Sequence, residues 1–500
     1  MTDTRIKKIV IIGGGTAGWI AAASLVKFLG STVEITLVES DAIGTIGVGE
    51  ATIPQIRKLN GSLGLDEAEF IRATKGSFKL GIEFNDWGEL GESYLHTFGD
   101  PGIDLSGLKF HHYWLRAQQE GEAKTSLWDY SLHKRAAYDH KFAPLQRVGN
   151  TQMGGLSYAY HFDAGLYAKH LRKLAESLGV VRQEGRVVDV AMDSESGFIQ
   201  SVELVTGDVI DGDLFIDCSG FRGLLIGGAL EVGYEDWSEY LPCNRAVAIG
   251  SEAEGPLLPY TKSTAREAGW QWRIPLQHRT GNGHVYCDEF MSQDEATTRL
   301  VDSLDGKIIG TPKQLSFTTG RRAEFWSKNC VSLGLSSGFL EPLESTSIHF
   351  VQSHVSRLLE FFPHKNFGAA TRAEYNRVVG KEYELVRDFL VLHYKQTRRD
   401  DTEFWRHCRD MNVPDSLTHK MELFAETGHI YREIDDIFRE SSWAQVMIGQ
   451  GLMPRTYHRM ADKLSSAQLK QFMSDVDALI AKAVQPLPSH ADFIAQNVGA

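Results

Sequence analysis

The residues with the clearest chemical capacity are glycines. Gly13-Gly14-Gly15-Thr16-Ala17-Gly18 holds the pattern G-x-G-x-x-G at Gly13, Gly15 and Gly18, directly after the apolar run Lys8 to Ile12. Glycines at those three places allow a tight turn, a close approach of backbone to a pyrophosphate, and close packing of the following helix, whose N-terminal N–H groups face the anion. The context agrees: strand, glycine turn, helix from Trp19 to Leu29, then a second strand from Val33 to Glu39 whose last residue is placed to accept from a ribose hydroxyl.

A second glycine-rich run, Gly44-Thr45-Ile46-Gly47-Val48-Gly49-Glu50-Ala51-Thr52, permits backbone to press against a flat ligand, which favours a flavin over a nicotinamide; a surface loop is the alternative. Asp217-Cys218-Ser219-Gly220 ends a strand in a turn and resembles the D-x-S-G segment of FAD-dependent hydroxylases. Only one dinucleotide fingerprint occurs, so reduced flavin is expected from a separate reductase.

Three further segments resemble the flavin-dependent halogenase family. The first is Trp270-Gln271-Trp272-Arg273-Ile274-Pro275, similar to that family's W-x-W-x-I-P string. Spacing alone makes its two tryptophans an aromatic filling of one strand face; the resemblance implies a block on ordinary hydroxylation. The second is Lys79 in Ser77-Phe78-Lys79-Leu80, which matches the family's active-site lysine, although a lone lysine among apolar residues also suits a snorkelling surface position. The third is Glu341-Pro342-Leu343-Glu344-Ser345-Thr346-Ser347, similar to the E-P-L-E-S-T segment.

That resemblance implies a division of labour. Lys79 delivers an electrophilic halogen and Glu344 serves as its acidic counterpart and base. Ser345, Thr346 and Ser347 receive a halide, chloride or bromide, beside the flavin. Gly13, Gly15, Thr16, Ala17, Gly18, Glu39, Gly47, Gly49, Glu50, Ala51, Asp217, Gly334 and Leu343 hold FAD. His96 and Phe98 echo an H-x-F segment that lines the substrate pocket, and Trp443 is expected beside the substrate with them.

Two positions depart from the family pattern. Tryptophan-specific members carry paired tyrosines that grip the amino-acid backbone of the substrate, where this chain has Trp443-Ala444. An ammonium and a carboxylate without partners in a pocket would cost several kcal/mol, so the expected substrate is indole or another small uncharged ring. Ser347 stands where those members often have glycine, which leaves the halide preference open. The competing readings are an FAD-dependent monooxygenase that hydroxylates and a non-catalytic flavin-binding protein.

The elements that must position these residues form an α/β fold: a βαβ module with a mixed sheet over residues 1–360, interrupted by substrate-pocket segments at about 60–160 and 225–330, and a mainly helical C-terminal module over 361–500. Helical patterns are clear at Gly165 to Leu178, Arg372 to Tyr394 and Leu464 to Ala483, and the tail after Pro486 is expected to be loosely held. In 500 residues, 42% hydrophobic and 23% charged, with a formal net charge of -13, nothing offers a basic face to nucleic acid. Five scattered cysteines without a C-x-x-C pair argue against a disulfide framework or structural zinc. With no signal-peptide pattern and no apolar stretch of bilayer length, a cytoplasmic monomer or homodimer is expected.

Overall fold

Lys8–Ile12 (KIVII) buries its last four residues in succession, as expected of a strand covered on both faces of a parallel sheet. It lies at the centre of a six-stranded sheet in the order Trp326–Ser327, Cys330–Ser332, Leu214–Asp217, Lys8–Ile12, Glu34–Glu39, Val181–Glu184. Ile9 pairs with Leu214 on one side and with Ile35 on the other, both in parallel register. Trp326–Ser327 alone runs antiparallel to its neighbour, so the sheet is mixed. The computed structural model describes residues 3–42, 49–121 and 126–499.

The chain divides into two compact units: Met1–Lys75, Phe162–Ser238 and Ser316–Glu384 form one, and Gly76–His161, Glu239–Leu315 and Leu385–Ala500 the other. The segments expected as insertions therefore supply most of the second unit, together with the C-terminal helices. The boundary in that region falls after Glu384, inside the helix Ala369–Lys395, and not at residue 360. The physical reason is packing: Tyr383 stacks on Phe350 at 4.2 Å and on Phe325 at 5.2 Å, which draws the first half of that helix into the first unit's core.

In the first unit the helix Thr16–Leu29 buries every residue from Gly18 to Val26. Its run of alanines, Ala21 to Ala23, lets it lie close to the sheet and to the helices Ala164–Ser177 and Ser347–Glu360. A three-stranded antiparallel sheet, Val187–Met192, Ile199–Leu204 and Val209–Asp211, contributes Val202 and Leu204 to a core shared with Val10, Val38 and Phe215.

The second unit is built on a seven-stranded sheet that includes Gly269–Pro275, Thr261–Arg266, Gly81–Asn85 and Ser93–Thr97 as consecutive neighbours. Beside it Ser77–Lys79 pairs antiparallel with residues 159–161, Ser77 opposite His161 and Lys79 opposite Ala159. The C-terminal region is helical, with Glu403–Asp410, Asp415–Thr427, Glu440–Gly449 and Ser466–Val484 following the long helix.

The tail after Pro486 differs from expectation. It forms the helix His490–Asn497, whose His490 is fully buried and whose Phe493 meets Phe78 at 5.4 Å and Phe142 at 5.2 Å. The burial of those rings, worth about 2 kcal/mol each, outweighs the fraying of a chain end. No helix among the described residues is long and apolar enough to cross a membrane.

Candidate active site

The expected cofactor residues gather at one edge of the six-stranded sheet. Gly13 follows Lys8–Ile12, Glu39 ends Glu34–Glu39, Asp217 ends Leu214–Asp217, and Gly334 follows Cys330–Ser332. These are the carboxyl ends of four strands, the place where open parallel sheets bind nucleotides.

Each fingerprint glycine has a distinct physical role. Gly13 has φ +113°, and a Cβ there would lie 2.2 Å from the Cys218 carbonyl oxygen. A Cβ on Gly18 would lie 1.8 Å from the Gly13 carbonyl oxygen, so helix and turn touch backbone to backbone. Gly15 is different, since a Cβ there would meet nothing within 4 Å. It precedes the helix Thr16–Leu29, whose first turn carries no side-chain cap and no acidic residue. Open space ahead of uncapped N–H donors fits a pyrophosphate.

Glu39 lies under Gly14, and its carboxylate takes the Arg182 guanidinium at 2.5 Å and the Trp19 indole N–H at 3.3 Å. Two carboxylate oxygens offer about four acceptor positions, so capacity remains for a ribose hydroxyl. Asp217 turns inward: it accepts from the Ser219 N–H and hydroxyl through one oxygen and from the Leu225 and Ile226 N–H groups through the other. These four bonds shape the turn that follows the strand. Gly334, at φ +69°, brings its backbone against the Ala17 side chain. Loss of solvation, with Asp163 adding repulsion, pushes the Glu50 carboxyl up to about 7. Gly49 (φ +102°) and Ala51 adjoin it, whereas Gly47 lies outside the described residues.

The segment expected to hold a halide belongs to the same unit. Pro342–Glu344 forms one 3-10 turn with Leu343 and Glu344 buried, and Ser345 adopts the left-handed conformation at φ +61°. Thr346 then precedes the helix Ser347–Glu360 without a side-chain capping bond. Its hydroxyl is fully buried and has no hydrogen-bond partner among the described residues. A buried hydroxyl beside an uncapped helix start is suited to a small anion.

The second unit collects the residues expected around the aromatic substrate. Lys79 has no exposed surface, and its ammonium lies 5.2 Å from the centre of the half-buried Phe98 ring. The Phe98 N–H donates to the Leu80 carbonyl at 3.0 Å, tying the two segments together. His96 lies 5.5 Å from Phe389 and 6.3 Å from Phe438, two rings that stack at 3.8 Å. Trp443 abuts Phe389 at 4.8 Å and is fully buried. The helix carrying it is tied to the His96 strand by Gln445, which accepts from the Thr97 N–H at 3.0 Å and hydroxyl at 2.9 Å.

Trp270 and Trp272 are buried on one strand, 6.0 Å apart, with the Trp272 ring covering Gly283. Both rings pack in the seven-stranded sheet, the role that spacing alone suggested.

Several contributors had no motif to mark them. Phe389, Phe438 and Gln445 lie in ordinary helical or loop sequence, and His161 and His490 are single histidines in short segments.

The first unit is thus an α/β dinucleotide-binding fold with its cradle at the strand ends, and the second presents a buried lysine within an aromatic cluster. The chain belongs to the tryptophan halogenase family, whose model matches residues 8–466. It is 36% identical to the tryptophan 6-halogenase ThaL of Streptomyces albogriseolus, with 100% of each chain covered. Among solved structures it resembles the flavin-dependent halogenase Xcc4156 from Xanthomonas campestris, with TM-score 0.95 and 47% identity over 99% of this chain and 98% of that one. BrvH, a flavin-dependent halogenase from Brevundimonas sp. BAL3, is similar at TM-score 0.95 and 44% identity over 99% and 100% of the two chains. The protein is an enzyme of that class, a flavin-dependent halogenase that uses FAD and acts on aromatic rings.

Proposed function

We propose that this enzyme chlorinates or brominates free indole or a similar small uncharged ring, with hypohalous acid guided to Lys79 and Glu344 acting as base. Bound FAD, reduced by a separate flavin reductase, supplies with oxygen the oxidising equivalents that convert halide to hypohalous acid. Gly13, Gly15 and the first turn from Thr16 to Gly18 hold its pyrophosphate, Glu39 its ribose, and Gly49 to Ala51, Gly334 and Leu343 its remaining surface. Ser345, Thr346 and Ser347 receive the halide.

The observation that carries the reading is the environment of Lys79, an amine without solvent exposure facing an aromatic ring at 5.2 Å. As an ammonium it donates a hydrogen bond to hypohalous acid and polarises the oxygen–halogen bond. As a desolvated amine it forms a nitrogen–halogen bond while the oxygen–halogen bond breaks and the amine proton leaves in water. In either case the halogen meets the ring at one point, and Glu344 takes the ring proton as aromaticity returns. Phe98 stacks on the ring, His96 borders it, and Trp443 backs the wall behind Phe389.

An uncharged substrate is supported by Trp443-Ala444, which offers no hydroxyl pair for an amino-acid backbone. The test is turnover of indole and tryptophan side by side with FAD, a flavin reductase and each halide. Halogenated indole that disappears in Lys79→Ala is the expected result. A clear preference for tryptophan overturns the substrate, halogenation by Lys79→Ala overturns the mechanism, and oxygen insertion without halide overturns both.

A further inference from the structure

The strand that carries Lys79 is gripped by two buried histidines from distant parts of the chain. His161 lies opposite Ser77, with Nδ1 3.1 Å from the Ser77 hydroxyl and Nε2 2.9 Å from the Thr261 hydroxyl. The Ser77 hydroxyl donates its single proton to the Pro275 carbonyl at 2.9 Å, so toward His161 it can only accept. Nδ1 of His161 therefore carries the proton, and Nε2 accepts from Thr261. The order of donation is Thr261 to His161 to Ser77 to Pro275, and it ends on the proline of the W-x-W-x-I-P string.

His490 grips the next residue in the same way. The Phe78 N–H donates to its Nε2 at 3.0 Å, so that nitrogen has no proton, and its Nδ1–H donates to the Leu257 carbonyl at 2.9 Å. Their partners place a proton on Nδ1 of both imidazoles, and burial disfavours a second proton, so both are neutral in the Nδ1–H form. Ser77, His161 and His490 have no exposed surface, and Thr261 is buried.

We infer that His161 and His490 are positioning residues that hold the Ser77–Lys79 strand from both sides while adding no positive charge beside the lysine. The inference rests on the assignment of Lys79 as the halogen-delivering group. A buried strand needs hydrogen-bonding partners, and a cationic partner would repel an ammonium strongly where little water screens it. A neutral, tautomer-locked imidazole meets both demands. The titratable groups facing His161 are Lys79 and His490, and those facing His490 are His161 and His140. Burial and Lys79 hold His161 well below the usual histidine range, and burial holds His490 at about 4. On this account Pro275 helps to aim the lysine, a task separate from any block on hydroxylation.

Thr261→Val removes the donor to His161 while keeping its shape, and Thr261→Ser restores it. With bromide and indole, Thr261→Val should lose about tenfold in ring bromination, the equivalent of one hydrogen bond. Hypobromous acid captured by a diketone scavenger should rise as product falls, the KM for indole should stay within about twofold, and the acid limb of the pH profile should move upward. Thr261→Ser should recover all of these. A role in folding alone would not divert oxidant to the scavenger. Wild-type bromination, scavenger yield and pH profile in Thr261→Val overturn the inference. Nitrogen NMR of the wild-type holoenzyme tests it without any variant: both histidines should stay neutral with Nδ1 protonated from pH 8 to pH 6, and an imidazolium at either position at pH 6 overturns it. Lys79→Ala separates the two levels, since bromination by that variant removes the catalytic lysine whereas its loss beside an unaffected Thr261→Val removes only the positioning.

Discussion

The indole N–H of Trp443 donates to Asp436 at 3.0 Å while the Lys420 ammonium lies 3.8 Å from the centre of the same ring. Lys420 also approaches Asp436 at 3.4 Å, so one buried aromatic is held at its edge by an anion and over its face by a cation. Burial raises the Asp436 carboxyl, against the opposing pull of Lys420 and the N–H donors. Trp443→Phe should therefore destabilise the protein by about 1–3 kcal/mol, because the acid loses a donor it cannot replace with water. Chemical denaturation of Trp443→Phe, Asp436→Asn and the double variant should give non-additive losses.

Thr346→Val makes a sharper distinction. Since the buried hydroxyl has no partner within the described chain, valine should leave the melting temperature unchanged or raised in halide-free buffer. The KM for halide should nevertheless rise about tenfold, the loss of one hydrogen bond to an anion. Steady-state turnover against chloride and bromide concentration checks this, and an unchanged KM excludes Thr346 from the halide site.

The fingerprint glycines should separate in the same manner. Gly15 has φ -72°, open to any residue, and unfilled space beyond it. Gly15→Ala should fold with wild-type stability yet bind FAD at least about tenfold more weakly, by loss of close backbone approach. Gly18→Ala should cost about 3 kcal/mol or more, because its methyl would strike the Gly13 carbonyl. Thermal unfolding of the FAD-free proteins and FAD titration measure the two effects independently.

Glu50 makes stability depend on pH. Its carboxyl titrates at about 7 in the folded chain against an ordinary 4.5, so the folded state holds a proton that the unfolded state releases. The contribution is present in full below pH 4.5 and is lost as pH rises through 7, about 3 kcal/mol at most. Denaturation of FAD-free protein at pH 5 and pH 8 should show that loss, and Glu50→Gln should flatten it.

Much of this molecule was legible in the order of its residues, because the relevant forces are local. A glycine pattern between a β-branched run and an alanine-rich helix dictates a strand, a turn and a helix whatever else the chain does. Glu39 and Asp217 were readable as strand ends for the same reason, although the inward turn of Asp217 was not: its donors, Leu225 and Ile226, meet it only once the following turn has closed. The order of the tail was not legible, because Pro486, Pro488 and small polar residues describe a loose end until Phe78 and Phe142 are there to receive Phe493.

By itself the sequence determined the class of fold, the dinucleotide cradle and the family, since these are written in contiguous strings whose spacing sets their geometry. Tertiary structure decided what surrounds Lys79: Phe98 from a neighbouring segment, His161 across a strand pair, and His490 from more than four hundred residues away, bonded to Phe78 beside it. Such partners have no fixed spacing, and the charge, tautomer and aim of a buried group depend on atoms that only the folded chain brings within hydrogen-bonding reach.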